Sequence, residues 1–286
     1  MINRLPTLHH AQLHQIFPRG EPPNWRPLWQ GPNPVNRVFL LVFAGMTAAS
    51  AMVHLDALGL LVGGATRGHR LMLDLVVLVI LLVSGRVMPF FIKSVLPNAR
   101  PQAFPLLEPL VFVTAAGLLI SDFVQPFGQL AGGLALTLGL LQLARLIGWH
   151  DRRIWTTPML SVLYAGLLWL ALGLILDRLP AFTGMTPRAA LHTLTVGAIG
   201  VVTLGMMALV AVGHTGRTMQ AAPLALLAFV LINLAALLRG LAPLLAPAGY
   251  QTWLMAGGLC WMLAFGLLVW VHAPMLSSPR PDGGPG

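Results

Sequence analysis

Charged residues are scarce in this chain of 286 amino acids, where Asp, Glu, Lys and Arg make up only 9% of the sequence. A soluble domain carries about 25% charged residues, so an ordinary cytosolic enzyme, a nucleic-acid-binding domain and a disordered chain are excluded. Cysteine is nearly absent: Cys260 stands alone, which excludes an intrachain disulfide and a Cys-x-x-Cys haem attachment. The first residues lack the apolar core of a secretory signal, so none is expected.

Apolar residues make up 57% of the chain and give it a mean hydropathy of +0.80. They fall in runs of about 18 residues or more, the length that crosses a bilayer as a helix. The sequence therefore predicts an all-α, polytopic transmembrane bundle of about eight helices, with no length left for a separate catalytic domain. The predicted spans are 37–62, 69–92, 106–122, 126–148, 158–177, 188–213, 221–243 and 250–273.

The polar segments divide the chain into three predicted regions. Residues 1–36 are expected to form a cytoplasmic arm at the membrane interface, 37–274 the transmembrane bundle, and 275–286 a disordered tail. The net charge of +9 indicates membrane orientation and contact with lipid head groups rather than nucleic acid. Eleven Lys and Arg fall on one predicted side and five on the other, which predicts that both termini are cytoplasmic.

Histidines are the residues of this sequence best suited to bind a metal. His54, His69 and His192 lie toward the outer predicted membrane face, and His214 lies toward the cytoplasmic one. His54 is the deepest, roughly 12 Å from the end of its span at 1.5 Å per residue. His192 and His214 are about 33 Å apart on one predicted helix, so they cannot bind the same metal. An interfacial or hydrogen-bonded imidazole stays the alternative at each position.

The second predicted span carries charged residues at both of its ends. Arg70 and Asp74 are four residues apart, so they can pair on one helix face. Arg86 lies further along, where Pro89 is expected to break the helix and free backbone carbonyls. An arginine in that position is suited to receive an anion such as a haem propionate, and snorkelling to the lipid head groups is the alternative.

Three segments together resemble the NnrS family of bacterial membrane proteins. They are GRVMPFF at 85–91, ALHTLTVGAIGVVTLGMMALVAVGHTGR at 190–217 and WMLAFGLLVWVHAPML at 261–276. The resemblance implies a protein that contains haem and copper and acts in the response to nitric oxide. It points to Arg86, Pro89, His192, His214 and Arg217, and implies that the histidines bind metal and the arginines bind haem propionates. With the other outer histidines added, the cofactor-binding candidates are His54, His69, His192, His214, Arg86 and Arg217, and the metal-ligand candidates are His54, His192 and His214.

The resemblance implies relief of nitrosative stress in the inner membrane of a bacterium, with a binding role favoured over an enzymatic one. The expected partners are membrane lipid, haem and nitric oxide, with no nucleic acid and with a partner subunit left open. The chain has fewer spans than is typical of the family, so two alternatives also stay open. They are a transporter or channel for a small solute, and a structural subunit that has lost its cofactor.

Overall fold

A computed structural model of the chain describes residues 34–126, 128–178, 191–217, 221–279 and 281. Within those ranges the regular structure is helical and no strand is present. Nearly all of the predicted 1–36 arm and half of the predicted 275–286 tail lie outside the described residues, so their predicted states stay predictions. The long helices are α1 Pro34–Ala57, α2 Gly64–Val95, α3 Leu107–Val124, α4 Gln129–Trp149, α5 Pro158–Arg178, α6 Val201–His214, α7 Pro223–Ala236 and α8 Tyr250–Leu276.

Eight helical segments of the described chain are long and apolar enough to cross a membrane, which confirms the predicted fold class. The sixth and seventh include π-helical turns, at Thr193–Gly200 before α6 and at Leu237–Leu241 after α7. The chain is thus a multi-pass membrane protein. Its two ends are named here by their connections: the near end carries residues 58–63 and 246–249, and the far end carries 96–106 and 150–157.

Two spans show the clearest differences from the sequence prediction. The first span ends at Ala57 rather than at 62, because Gly59 and Gly63 adopt positive φ angles of 72° and 75° and turn the chain back. The second span is longer than predicted, since α2 continues through Pro89 to Val95. The expected break at Pro89 is therefore wrong. A proline removes one backbone N–H, and a long membrane helix held by its neighbours tolerates that loss.

Helix α5 forms the centre of the bundle, and it packs against α2, α4, α6 and the π-helical turn before α6. Its most apolar window is 67% buried, against 11% for α1 and 17% for the eighth span. Glycines on both partners allow the close contact: a Cβ on Gly166 would lie 2.6 Å from Val202, and one on Gly197 would lie 3.0 Å from Trp169. Polar side chains at the ends of α5 are therefore brought into contact with several other helices.

Candidate functional site

Five ionisable side chains meet inside the near end of the bundle and are called the ion cluster. They are Arg70 and Asp74 of α2, Asp122 of α3, and Asp177 and Arg178 of α5. None is more than 7% exposed. The chain direction explains the meeting, because α2 starts at the near end while α3 and α5 finish there. Charges within about three turns of those helix ends therefore come together in this part of the bundle.

The two arginines of the ion cluster tie the three helices together. Arg178 donates to both carboxylate oxygens of Asp122: Nη1 donates to Oδ1 at 2.8 Å, and Nη2 donates to Oδ2. The Nη2 of Arg70 donates to Asp177, and its Nε lies 3.9 Å from Asp122. The Nε of Arg178 lies 3.1 Å from Asp177. Arg70 of α2 thus contacts carboxylates of α3 and α5, and Arg178 of α5 contacts Asp122 of α3 as well as its neighbour Asp177. These contacts fix how the three helices pack.

Asp74 is the member of the ion cluster with the poorest pairing. Its Oδ2 atom is buried and has no hydrogen-bond partner among the described residues. The neighbouring carboxyl group is that of Asp122, which is itself only an acceptor when it is ionised. The charge of Arg70 attracts Asp74, as the four-residue spacing predicted, but the hydrogen bond of Arg70 goes to Asp177 on α5.

His192 lies at the near end as well, where the two π-helical turns touch. Its Nε2 is 2.7 Å from Nη2 of Arg239, and its Nδ1 is 3.5 Å from the hydroxyl of Thr195. Because a guanidinium only donates, Nε2 of His192 is the acceptor and its lone pair is occupied. The two π-helical turns approach closely because Gly240 has no side chain: a Cβ there would lie 2.6 Å from Thr193 Oγ1. Metal binding through Nε2 would require Arg239 to move away.

A third buried arginine, Arg145 of α4, organises the far end. It is 1% exposed, and its Nε and Nη2 donate to the two carboxylate oxygens of Glu108 at 3.0 and 3.1 Å. Nη1 donates to Gln142 at 3.1 Å, and the guanidinium lies 4.8 Å from the ring of Trp149. Gly85 makes room for it, since a Cβ there would lie 2.2 Å from Nη2 of Arg145. The glycine of the segment GRVMPFF therefore has a packing role.

A cavity of about 640 Å³ opens beside this network and is called the Arg86 cavity. Its described lining is mostly apolar, with Arg86 and Glu108 as the charged members. Arg86 is exposed, and its guanidinium makes no hydrogen bond or ion pair with any described residue. Pro89 also lines the cavity, and because it lacks an N–H, the carbonyl of Gly85 is without its usual helical donor. The described lining residues are Val38, Leu78, Leu82, Gly85, Arg86, Pro89, Ala103, Glu108, Phe112 and Trp149.

The other predicted site residues are spread over both ends. His54 on α1 and His69 on α2 have exposed imidazoles toward the near end, and His214 is exposed where α6 finishes at the far end. Arg217 donates to the carbonyl of Met275 at 3.2 Å and to the hydroxyl of Ser278 at 2.9 Å, so it holds the end of α8. The structure thus does not gather the six predicted residues into one site.

A pre-formed metal centre is not found in the described part of the chain. No group of three or more His, Cys, Asp or Glu side chains there is arranged to hold a metal ion. The ion cluster does not serve, because two of its three carboxylates, those of Asp122 and Asp177, are bonded to arginines. Sequence reasoning missed Asp122, Asp177 and Arg178 as cluster members. Their signal was their depth, since alternating helix direction places all three near the same membrane face.

Comparison with known proteins identifies the class to which this multi-pass membrane protein belongs. The chain matches the family described as NnrS protein over residues 24–280, which is most of its length. It therefore belongs to the NnrS family, as its three sequence segments had indicated, and membership associates it with the response to nitric oxide. No curated protein and no solved structure matches the chain.

Proposed function

We propose that this protein is a haem-binding membrane protein that relieves nitrosative stress, and that Arg86 binds a carboxylate of the haem. Family membership supports the cofactor class. The observation that carries the location is an exposed arginine without a described partner on the wall of a largely apolar cavity of about 640 Å³. Sites for small molecules and cofactors enclose about 300–1,000 Å³ and combine apolar walls with a few polar groups.

The cavity residues fit the carboxylates and the apolar ring of a haem. Guanidinium groups form paired hydrogen bonds with carboxylates, and no described residue uses this capacity of Arg86. Glu108 would repel an anion, but its charge is neutralised by the guanidinium of Arg145, which donates two hydrogen bonds to it. Phe112 and Trp149 offer apolar surface to a flat ring. A bound haem would supply an iron able to bind nitric oxide. The protein would bind and orient the haem and exclude water from it.

The described wall of the Arg86 cavity contains no His, Cys or Met side chain, so it does not supply an iron ligand. We propose His54, His69, His192 and His214 as the residues from which a haem or copper ligand comes. His69 lies about 25 Å from Arg86 along α2, so the near-end histidines would hold a metal or haem other than the haem at Arg86. The exposed imidazoles of His54, His69 and His214 are open to a ligand or to a partner subunit. His192 first has to release Arg239. A His54→Ala/His192→Ala double variant that keeps the metal content and spectrum would remove both from the proposal.

The test is a haem titration of the detergent-purified chain, with absorption spectra of the oxidised and reduced protein and copper analysis of the same sample. The wild type should show a Soret band that shifts when nitric oxide is added. Arg86→Gln should bind haemin about 10- to 100-fold more weakly, which corresponds to losing a charged hydrogen bond worth roughly 1.5–3 kcal/mol. Arg100→Gln is the matched control, because Arg100 is also an exposed far-end arginine and does not line the cavity.

The outcomes separate the parts of the proposal. If Arg86→Gln binds haemin as tightly as the wild type does, the haem lies elsewhere and the cavity assignment fails. If wild-type protein from haem-replete cells is colourless and does not bind haemin, haem binding itself fails. A solute transporter or a structural subunit would then be the better interpretation.

We further propose that the protein lies in the inner membrane of a bacterium with both termini in the cytoplasm. The far end, with more Lys and Arg, would then face the cytoplasm. Val62, 91% exposed in the near-end turn, is a suitable position for a cysteine in a Cys260→Ser background. A membrane-impermeant thiol reagent should label Val62→Cys from outside the cytoplasmic membrane, and labelling only after permeabilisation would reverse the orientation.

A further inference from the structure

We propose that the ion cluster is a proton-binding site inside the membrane, in which Asp74 and Asp122 share one proton. The site is independent of the proposed haem and of every predicted histidine. It lies at the near end, where α2, α3 and α5 meet.

The charge of the cluster is the first argument. Three carboxyl groups, those of Asp74, Asp122 and Asp177, face two guanidinium groups, those of Arg70 and Arg178. With every group ionised the described cluster would carry a net charge of −1 at 7% exposure or less. An isolated charge in such surroundings is costly, and a carboxyl group there takes up a proton instead. One proton makes the described cluster neutral.

The positions of the oxygen atoms decide where the proton lies. Both oxygens of Asp122 accept hydrogen bonds from Arg178, and Asp177 is bonded to Arg70. The Oδ2 of Asp74 is buried and receives no hydrogen bond from the described residues. The neighbouring carboxyl group is that of Asp122, and two carboxyl groups make a hydrogen bond with each other only when one of them is protonated. Asp74 is therefore the proton carrier and Asp122 the acceptor.

The neighbouring helices offer no other described charge to Asp74. Helix α1 also packs against α2, and its ionisable near-end residues are His54 and Asp56. The imidazole of His54 is exposed, and the carboxylate of Asp56 accepts a hydrogen bond from the backbone N–H of Gly64 at 3.1 Å. The groups that face Asp74 are thus Arg70 of its own helix, Asp122 of α3 and Arg178 of α5.

The consequence is a dependence of the packing on pH. A folded state that holds a proton which the unfolded chain releases loses stability as the pH rises. Loss of the proton would place a net negative charge between α2, α3 and α5 and loosen their contact. The near end therefore contains a group that can take up or release a proton within the membrane.

The experiment is an infrared measurement on the full-length purified protein in lipid, with its six aspartates labelled by 13C at the side-chain carboxyl. At neutral pH we expect one carbonyl band of a protonated aspartic acid, identified by its isotope shift and lost at high pH. Asp74→Asn should abolish the band, because the amide is neutral and can donate to Asp122. Asp151→Asn is the control and should keep the band, since Asp151 belongs to an ion pair at the far end.

The thermal midpoint gives a second readout on the same proteins. It should fall with rising pH in the wild type and in Asp151→Asn, and the fall should be smaller in Asp74→Asn. Absence of a protonated aspartic band in the wild type at neutral pH would overturn the proposal, and this measurement needs no variant. A band that survives in Asp74→Asn would also overturn it, because the proton would then lie on another aspartate.

Discussion

The two ends of the bundle both bury an arginine against carboxylates, but they balance the charges differently. At the far end Arg145 faces one carboxylate, Glu108, whose side chain is 38% exposed. At the near end two arginines face three carboxylates, and all five groups are buried. The far-end pair is neutral and partly hydrated, so it requires no further charge or proton. Among the described residues the near-end cluster has an excess carboxyl group, and on our proposal this group binds a proton. Charge balance, rather than burial alone, thus distinguishes an ion pair that holds helices from a site that binds a ligand.

The difference in hydration predicts the largest effect. Arg178→Gln should lower the free energy of unfolding by about 3–5 kcal/mol, because it leaves buried Asp122 without its main partner. Arg145→Gln should cost roughly 1–3 kcal/mol, since exposed Glu108 can be hydrated once it loses the arginine. Denaturation of both variants in the same detergent measures the difference. Equal losses would mean that the two networks are equivalent and that hydration of the carboxylate does not distinguish them.

The far-end network depends on a glycine, which gives a prediction of intermediate size. Gly85→Ala would place a Cβ 2.2 Å from Nη2 of Arg145, and that nitrogen cannot move without breaking its bond to Glu108. We expect a loss of roughly 1–3 kcal/mol, measured as a lower thermal midpoint. Gly133→Ala in α4 is the matched control. It has open space around the new Cβ and should be neutral or stabilise the helix by about 0.5–1 kcal/mol. A tolerated Gly85→Ala would show that Arg145 is mobile.

An exposed ion pair at the far end gives the smallest predicted effect. Asp151 accepts hydrogen bonds from the backbone N–H and the side chain of Arg153, which lower the pKa of Asp151 to about 2. A carboxylate with a depressed pKa stabilises the fold above its ordinary pKa, near 4, and this contribution is lost as the pH falls toward 2. Asp151→Asn should remove this small acid-dependent part of the stability. The difference in thermal midpoint between Asp151→Asn and the wild type should shrink between about pH 4 and 2. A constant difference over that range would contradict the assignment.

The spans were predictable because hydropathy acts locally. In lipid each segment must satisfy its backbone hydrogen bonds within itself, so a run such as 158–177 becomes α5 whatever its neighbours are. The predicted helix boundaries were wrong where one or two residues determine the backbone conformation. Gly59 and Gly63 ended α1 early, and the surrounding bundle let α2 continue past Pro89. The resemblance to the NnrS family was also correct, since the family match covers residues 24–280.

The candidate sites were less predictable, since they depend on which helix faces meet. The four-residue spacing of Arg70 and Asp74 suggested an isolated pair, but the hydrogen bond of Arg70 goes to Asp177, 107 residues away. His192 was a candidate metal ligand, and the fold places Arg239 against it from 47 residues away. No pattern within one span indicates such a partner. The sequence indicates the depth of each charge in the membrane, but it does not indicate the direction in which the helix face carrying that charge points.

The sequence by itself therefore determined the class of the protein, its number of spans, its family and the depth of each polar residue. These follow from length, hydropathy and residue order, which do not depend on contacts between helices. Only the tertiary structure decided that Asp74, Asp122 and Asp177 meet two arginines, that Gly85 makes space for Arg145, and that Arg86 faces a cavity. The physical reason is that helices pack by the shapes of their faces, and burial then requires that the charges brought together be paired or neutralised.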